Sequence, residues 1–240
     1  MATLAYFVSD THFGFHEYPV EKPLIQKFEY LCNLVTSTKG ELYILGDLFD
    51  YWFEYKTVIQ KNSYRILSCL EHMVENKIDV YYVIGNHDFS HRDLFEKQLG
   101  IKIFEKFISK EINSKKFFLA HGDGLLDNDK GYLILKSIVR NKKLQSLYSK
   151  LHPNIGISLA KYFSKVSRNH TANRDYGPID FMLKFSTQKI KEGYDYVVLG
   201  HSHRVVNEKI NRGFYINLGT WLIKPTYGIF NGEKFEIIEF

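Results

Sequence analysis

Residues 42–52 read Leu-Tyr-Ile-Leu-Gly-Asp-Leu-Phe-Asp-Tyr-Trp, an apolar run that stops at Gly46-Asp47 and carries a second aspartate, Asp50, just beyond. A run of about four to six residues rich in Tyr, Ile and Leu, without polar alternation, predicts a strand buried on both faces. Packing gives no reason for a carboxylate at its end. The same grammar recurs at LAYFVSD (4–10), DVYYVIGNHD (79–88), KFFLAHGD (116–123) and DYVVLGHSH (195–203). Working outward, Leu24 to Val35 and Ser63 to Glu75 carry apolar residues three and four apart, the period of helices laid on a sheet. The order is therefore β-α-β-α-β. Phe214 to Leu218, Thr226 to Phe230 and Phe235 to Phe240 predict further strands, the last two joined by a two-residue Asn231-Gly232 turn. The class is α/β with a β-rich ending.

A chain of 240 residues, 45% hydrophobic and 25% charged, can bury one substantial core, so a single domain over 1–240 is expected. The net charge of +5 hides an asymmetry: Lys130 to Arg174 holds ten Lys/Arg and no Asp or Glu, leaving 22 basic against 27 acidic residues elsewhere. A surface meeting phosphates, anionic lipid headgroups or nucleic acid is the functional reading, and a solvated helical face the plain one. Apolar residues recur at helical spacing from Tyr132 to Val166, predicting two helices broken at His152-Pro153. They fall between two core strands without a flexible linker, and so read as a helical cap insertion over about 130–174.

Cys32 and Cys69 lie in apolar stretches without metal-type spacing, which predicts buried free thiols and a reducing environment. No apolar run reaches the roughly 18–20 residues of a membrane span, and MATLAYFVSD lacks the marks of a signal peptide, so a cytoplasmic protein is expected.

Five motifs stand at the C-terminal ends of the five strands: Asp10-Thr-His12, Gly46-Asp47-Leu-Phe-Asp50, Gly85-Asn86-His87-Asp88, His121-Gly122-Asp123 and Gly200-His201-Ser-His203. In open α/β sheets that rim is where distant parts of a chain meet a ligand. Carboxylates, imidazoles and one amide, with no thiolate, suit hard or borderline divalent cations in an open catalytic site. Two such ions about 3.5–4 Å apart can clamp a phosphoryl group and activate water near neutral pH.

In this order the five blocks resemble the calcineurin-like metallophosphoesterases. The resemblance implies an αββα sandwich of two mixed β-sheets flanked by helices. It assigns Asp10, His12 and His203 to one divalent metal, Asn86, His121 and His201 to the other, and Asp47 to the bridge. Mn²⁺ is the first choice of ion, with Fe²⁺, Mg²⁺ and Zn²⁺ as alternatives. His87 is placed facing the substrate phosphate as a catalytic group, alongside Asn86. Asp50, Asp88 and Asp123 are placed behind the ligands, where carboxylates orient ligating histidines.

Within the superfamily the chain is most similar to the UDP-2,3-diacylglucosamine diphosphatases. The likeness rests on the opening MATL with its Asp-x-His, on residues 42–52, on His121 to Tyr132, on the helical insertion before Gly200, and on Gly219-Thr220-Trp221. It implies hydrolysis of a UDP-linked diacylglucosamine lipid to UMP and 2,3-diacylglucosamine 1-phosphate in lipid A biosynthesis. Asp129, Tyr132, Ser167, Asn173 and Arg174 become candidate substrate contacts, and the cap a peripheral face toward the anionic inner membrane. No obligate protein partner is implied. His87 stands where some members carry Arg, which keeps another nucleotide diphosphate or phosphodiester open as substrate. A nuclease would share the metals, but the apolar content of the basic segment disfavours nucleic acid. A silent binding scaffold is disfavoured because every ligand position is filled.

Overall fold

The structure, a computed structural model, describes residues 3–125, 137–160 and 181–240. The first half is built as predicted from β1 (Ala5–Val8), α1 (Tyr18–Thr38), β2 (Glu41–Leu45), α2 (Tyr64–Glu75) and β4 (Val80–Val83). β1, β2 and β4 pair in parallel, β6 (Lys102–Phe104) extends them, and β12 (Thr226–Phe230) and β13 (Phe235–Glu239) close the other side antiparallel. The six-stranded order is β13-β12-β1-β2-β4-β6. A second sheet has the order β10-β11-β9-β8-β7, with β7 Phe107–Ile112, β8 Lys115–Ala120, β9 Tyr196–Leu199, β10 Val205–Ile210 and β11 Gly213–Leu218.

The unbroken hydrophobicity of the first strands follows from their position between two cores. Side chains alternate along a strand: Ala5, Phe7, Tyr43, Leu45, Tyr81 and Val83 point at the second sheet, while Tyr6, Val8, Leu42, Ile44, Val80 and Tyr82 pack under α1 and α2. The second sheet repeats the device. Phe117, Leu119, Tyr196 and Val198 face inward, and Phe118, Ala120, Val197 and Leu199 face Met182, Phe185 and Ile190 of α5 (Phe181–Lys191). The layers are thus helices, sheet, sheet, helix. Between the sheets runs an aromatic stack in which Phe117 meets Tyr196 at 4.7 Å, Phe230 at 5.0 Å and Phe7 at 5.8 Å between ring centroids.

Three features depart from the sequence reading. α1 starts six residues earlier than its apolar period, because Pro at its N-terminal positions and Glu21 in the first turn suit a helix start without adding apolar signal. The edge strands β6, β7 and β10 have no counterpart in the expected list; β7 alternates buried and exposed residues, as befits a strand with a wet face. The final hairpin turns over Asn231–Lys234, with the Asn231 side-chain oxygen accepting the Glu233 and Lys234 amides at 3.0 Å each. That Asx-type closure replaces the expected Asn-Gly turn.

In the described part of the basic segment, helical residues 137–139 end before Asn141, a break the apolar period does not show, and α3 (Lys142–Tyr148) and α4 (153–160) follow, separated near His152-Pro153 as expected. Both pack on a small parallel ribbon of β3 (Trp52–Phe53) and β5 (Asp88–Ser90). The contact is aromatic: Tyr51, Phe53, Tyr55, Phe89 and Tyr148 surround Ile157 and Ala160. Gln145 Nε2 also donates to the Phe89 carbonyl at 2.7 Å.

Truncating Phe117, which is fully buried between the sheets, is expected to cost about 3–5 kcal/mol of stability. Denaturant melts of Phe117→Ala against the parent chain measure it.

Candidate metal centre

Because β1, β2 and β4 run parallel in one sheet and β8 and β9 in the other, their carboxyl ends share one rim. Just past those ends the chain leaves extended conformation in an unusual way. Asp10, His12, Asp47, His201 and His203 all have positive φ, between 49° and 64°. Such φ values are uncommon for non-glycine residues and persist only where the surroundings impose them. Here the surroundings are visible. Asp10 N–H donates to Gly46 O at 3.1 Å, and Asp10 O accepts from Thr220 Oγ1 and Trp221 N–H at 3.0 Å each. His12 N–H donates to Asp47 O at 3.0 Å, and His201 N–H to Asp10 Oδ2 at 2.9 Å. The Asp10, His12, Asp47 and His201 turns thus brace one another. Gly85 is required by space: a Cβ there would run into the Asp47 carboxylate.

These turns bring the predicted residues into two adjoining sets. In the first, Asp10 Oδ1 lies 3.3 Å from His203 Nε2 and 3.8 Å from His12 Nε2, and the two imidazole nitrogens are 3.3 Å apart. In the second, His121 Nε2 lies 3.3 Å from Asp47 Oδ2 and 2.9 Å from Asn86 Oδ1, while a His201 ring nitrogen completes a group within 4.8 Å. Asp47 Oδ2 is also 4.0 Å from His12 Nε2, so one carboxylate oxygen looks toward both sets. His87 brings a ring nitrogen within 4.8 Å of the His12 and Asp47 ligand atoms.

The electrostatics explain why this cluster fits cations. Burial would push the carboxyls of Asp10 and Asp47 up, yet the surrounding histidines outweigh it: His121 and His203 hold Asp10 below the ordinary range, and His121 and His87 hold Asp47 well below it. Burial works against a proton on His121, but Asp47 and Asp10 overcome it and raise that pKa well above the usual value. Burial and His87 drive His12 down to about 3, and burial and His121 drive His201 down to about 4. For His12 and His201, a neutral imidazole beside ionised carboxylates is the state a metal ligand needs, and the proton favoured on His121 is one that a cation would displace. Among the described residues Asp10 Oδ1 is buried without a hydrogen-bond partner, although it faces two imidazole nitrogens. His121 Nδ1 donates to Leu45 O at 2.8 Å, which leaves Nε2 directed at two oxygen acceptors. A cation between those atoms satisfies both observations.

The remaining predicted residues have distinct surroundings. Asp88 accepts Asp47 N–H at 3.0 Å, Gly85 N–H at 2.8 Å and the Tyr82 hydroxyl at 2.6 Å, so it fixes backbone where a histidine contact was expected. Asp50 acts through its carbonyl, which accepts from His87 Nδ1 at 2.6 Å; its carboxylate is 3.8 Å from His12 Nδ1. Asp123 is half-buried and acts on His121 and His201 through its charge. Asp129, Tyr132, Ser167, Asn173 and Arg174 lie outside the described residues. Sequence reasoning missed Asn217, a fully buried residue of β11 whose amide donates to Gly200 O at 2.7 Å and whose oxygen accepts Gly219 N–H at 3.2 Å. Its only signal is a polar residue in an apolar strand.

The model of the calcineurin-like phosphoesterase family matches residues 5–205, and the chain belongs to that family of metal-dependent hydrolases. Its full-length relatives narrow the comparison. The UDP-2,3-diacylglucosamine hydrolase of Porphyromonas gingivalis is 26% identical, over 97% of this chain and 95% of that protein. Those of Haemophilus influenzae and Neisseria meningitidis are each 28% identical over 90% of this chain and about nine-tenths of their own length. A solved archaeal phosphodiesterase shares the fold, with a TM-score of 0.51 at 18% identity over 99% of this chain and all of that one.

Replacing Asn217 by Ala is expected to loosen the Gly200 turn and lower metal affinity by about 10- to 100-fold. Metal titration of the variant and the parent chain, with circular dichroism confirming the fold, checks this.

Proposed function

We propose that this chain hydrolyses UDP-2,3-diacylglucosamine at its α-phosphorus, releasing UMP and 2,3-diacylglucosamine 1-phosphate. The observation that carries the reading is the pair of ligand sets joined at Asp47 Oδ2, in a chain aligned with hydrolases of that lipid nucleotide over nearly its full length. Asp10, His12 and His203 would hold one divalent cation, Asn86, His121 and His201 the other, and Asp47 would bridge them. Mn²⁺ is the proposed ion. When bound, the two cations supply charge to the phosphoryl oxygens and acidify the attacking water.

The protein's own groups account for the rest. Water adds its oxygen to the α-phosphorus as the bond to the bridging oxygen breaks, and the departing sugar phosphate gains stabilisation from a donor on its side. His87 suits that role. Its amide donates to Asp47 Oδ1 at 2.8 Å and its Nδ1 is engaged by the Asp50 carbonyl, so a proton offered to substrate comes from Nε2. Asn86 stands beside it.

The cap supports the lipid part of the reading. Ile138, Leu144, Leu147, Ile155 and Leu159 remain exposed, alongside Lys142, Lys143 and Lys150. Apolar side chains interleaved with lysines suit acyl chains and an anionic bilayer surface better than a nucleic-acid backbone. No helix among the described residues is long and apolar enough to cross a membrane, so the proposed association is peripheral. Arg140 reaches the Gly85 carbonyl at 3.4 Å and ties this segment to the site's rim. Asp129, Tyr132, Ser167, Asn173 and Arg174 remain the proposed substrate contacts.

Purified, Mn²⁺-supplemented protein is expected to release UMP from UDP-2,3-diacylglucosamine and to leave DNA and RNA intact. Cleavage of a generic phosphodiester without UMP release would retain the metal centre and discard this substrate. Asp47→Ala is expected to abolish turnover while His16→Ala, outside the motifs, leaves it near the parent value. His87→Ala is expected to keep its metal and lose about 10²- to 10⁴-fold in kcat; metal analysis showing a depleted variant would move His87 among the ligands.

A further inference from the structure

α1 and α2 pack side by side, and each contributes one of the chain's two cysteines to the seam. The spacing of Cys32 and Cys69 in sequence carries no sign of this meeting. Cys32 lies on the buried face of α1 with Phe28, Leu31 and Val35, 3% exposed. Cys69 is partly exposed and lines the same groove of about 300 Å³, together with Glu29, Ser68 and His72. The two thiols share this groove, and their environments differ. Contact with Cys32 draws the Cys69 thiol's pKa below its usual value, with Arg65 one turn away acting in the same direction. Burial, followed by the contact with Cys69, pushes Cys32 well above its own.

We infer that Cys69 and Cys32 form an oxidant-reactive pair, with Cys69 the thiol attacked by hydrogen peroxide and Cys32 the partner that resolves it into a disulfide across α1 and α2. Geometry assigns the roles. Both thiols line the groove, but Cys69 is the more exposed to a small oxidant entering it, whereas Cys32 is almost wholly buried. Thiolate sulfur is the nucleophile toward peroxide, and an accessible thiol beside a second thiol is the arrangement that oxidises reversibly. In the first step Cys69 sulfur bonds to one peroxide oxygen as the O–O bond breaks, and the departing hydroxide takes a proton to become water. The product is a sulfenic acid on Cys69. In the second step Cys32 sulfur attacks Cys69 sulfur, the S–O bond breaks, and the Cys32 proton leaves with the oxygen as a second water. Two thiols and one peroxide thus give one disulfide and two waters.

No third ligand competes for the pair. Among the described residues, the only groups of three or more His, Cys, Asp or Glu close enough to share an ion belong to the phosphoesterase rim. The Glu29 carboxylate is held by Arg65 in a two-point contact at 2.6 and 2.7 Å. A thiol pair without a metal partner is available for oxidation.

The test is mass spectrometry of the full-length protein after brief exposure to hydrogen peroxide, with and without dimedone, a reagent that traps sulfenic acids. The wild-type chain should lose the mass of two hydrogens, regain it with dithiothreitol, and yield a linked peptide joining α1 to α2. Its unfolding temperature should be higher oxidised than reduced, because a cross-link restricts the unfolded chain. Cys32→Ala should accumulate a dimedone adduct on Cys69, and Cys69→Ser should give neither adduct nor cross-link. Absence of the intramolecular link in the wild-type chain, or trapping at Cys32 in Cys69→Ser, would overturn the inference. The wild-type measurement stands even if a variant folds poorly, and it is independent of the substrate assignment.

Discussion

Two aspartates, Asp10 and Asp47, are buried to 1% exposure or less and close enough for each to disfavour ionisation of the other. Left alone, such a pair would take up a proton and neutralise. Everything at the rim works against that outcome. Five imidazoles converge on the two carboxylates, three main-chain N–H groups donate to them or brace their turns, and His121 is pressed toward the protonated form by their field. The fold therefore concentrates negative charge where only a cation, or a proton standing in for one, can balance it. The left-handed backbone at five positions of the rim belongs to the same constraint. Extended strands deliver side chains above and below a sheet; only a sharp turn beyond the strand end points them across the rim toward one another.

That constraint shaped what could be read from sequence. Strand ends were legible because an Asp, Asn or His after a doubly buried apolar run has no packing explanation, as at Asp10, Asp47 and His121. The helices were legible from their period, although Tyr18 to Pro23 carried too few apolar residues to show where α1 starts. The wet-faced β7 and the edge strands were not legible, since their residues alternate or stay exposed and look like loop. Within the site, the residues that converge on the rim were legible because they cluster in motifs. The bracing was not, because it runs through main-chain groups: Asp88 on the amides of Asp47 and Gly85, Asp50 through its carbonyl, and Asn217 on the Gly200 carbonyl. A side chain that bonds backbone leaves no complementary residue for a pattern to catch. That Cys32 and Cys69 share one groove was invisible for a related reason, since helix–helix packing sets it and local spacing does not.

The ribbon of β3 and β5 shows how the described residues of the basic segment are registered to this rim. β3 follows directly from the Asp47–Asp50 turn, and β5 begins at Asp88, the residue that fixes the Asp47 amide. Between them, Trp52 N–H donates to the His87 carbonyl at 3.0 Å, while the His87 ring bonds Asp50 O. One face of this ribbon therefore sets the position of His87. The other residues it carries, Tyr51, Phe53 and Phe89, hold Tyr148 and Gln145 of α3. A displacement of α3 would have to break the Tyr51–Tyr148 hydroxyl contact at 2.9 Å or be passed into the ribbon, and so to His87. Packed aromatic contacts of this kind resist gradual deformation. α3 and the His87 imidazole are thus positioned by the same few residues, and that shared support is what holds an apolar, basic surface at a fixed distance from the buried cluster of carboxylates and imidazoles.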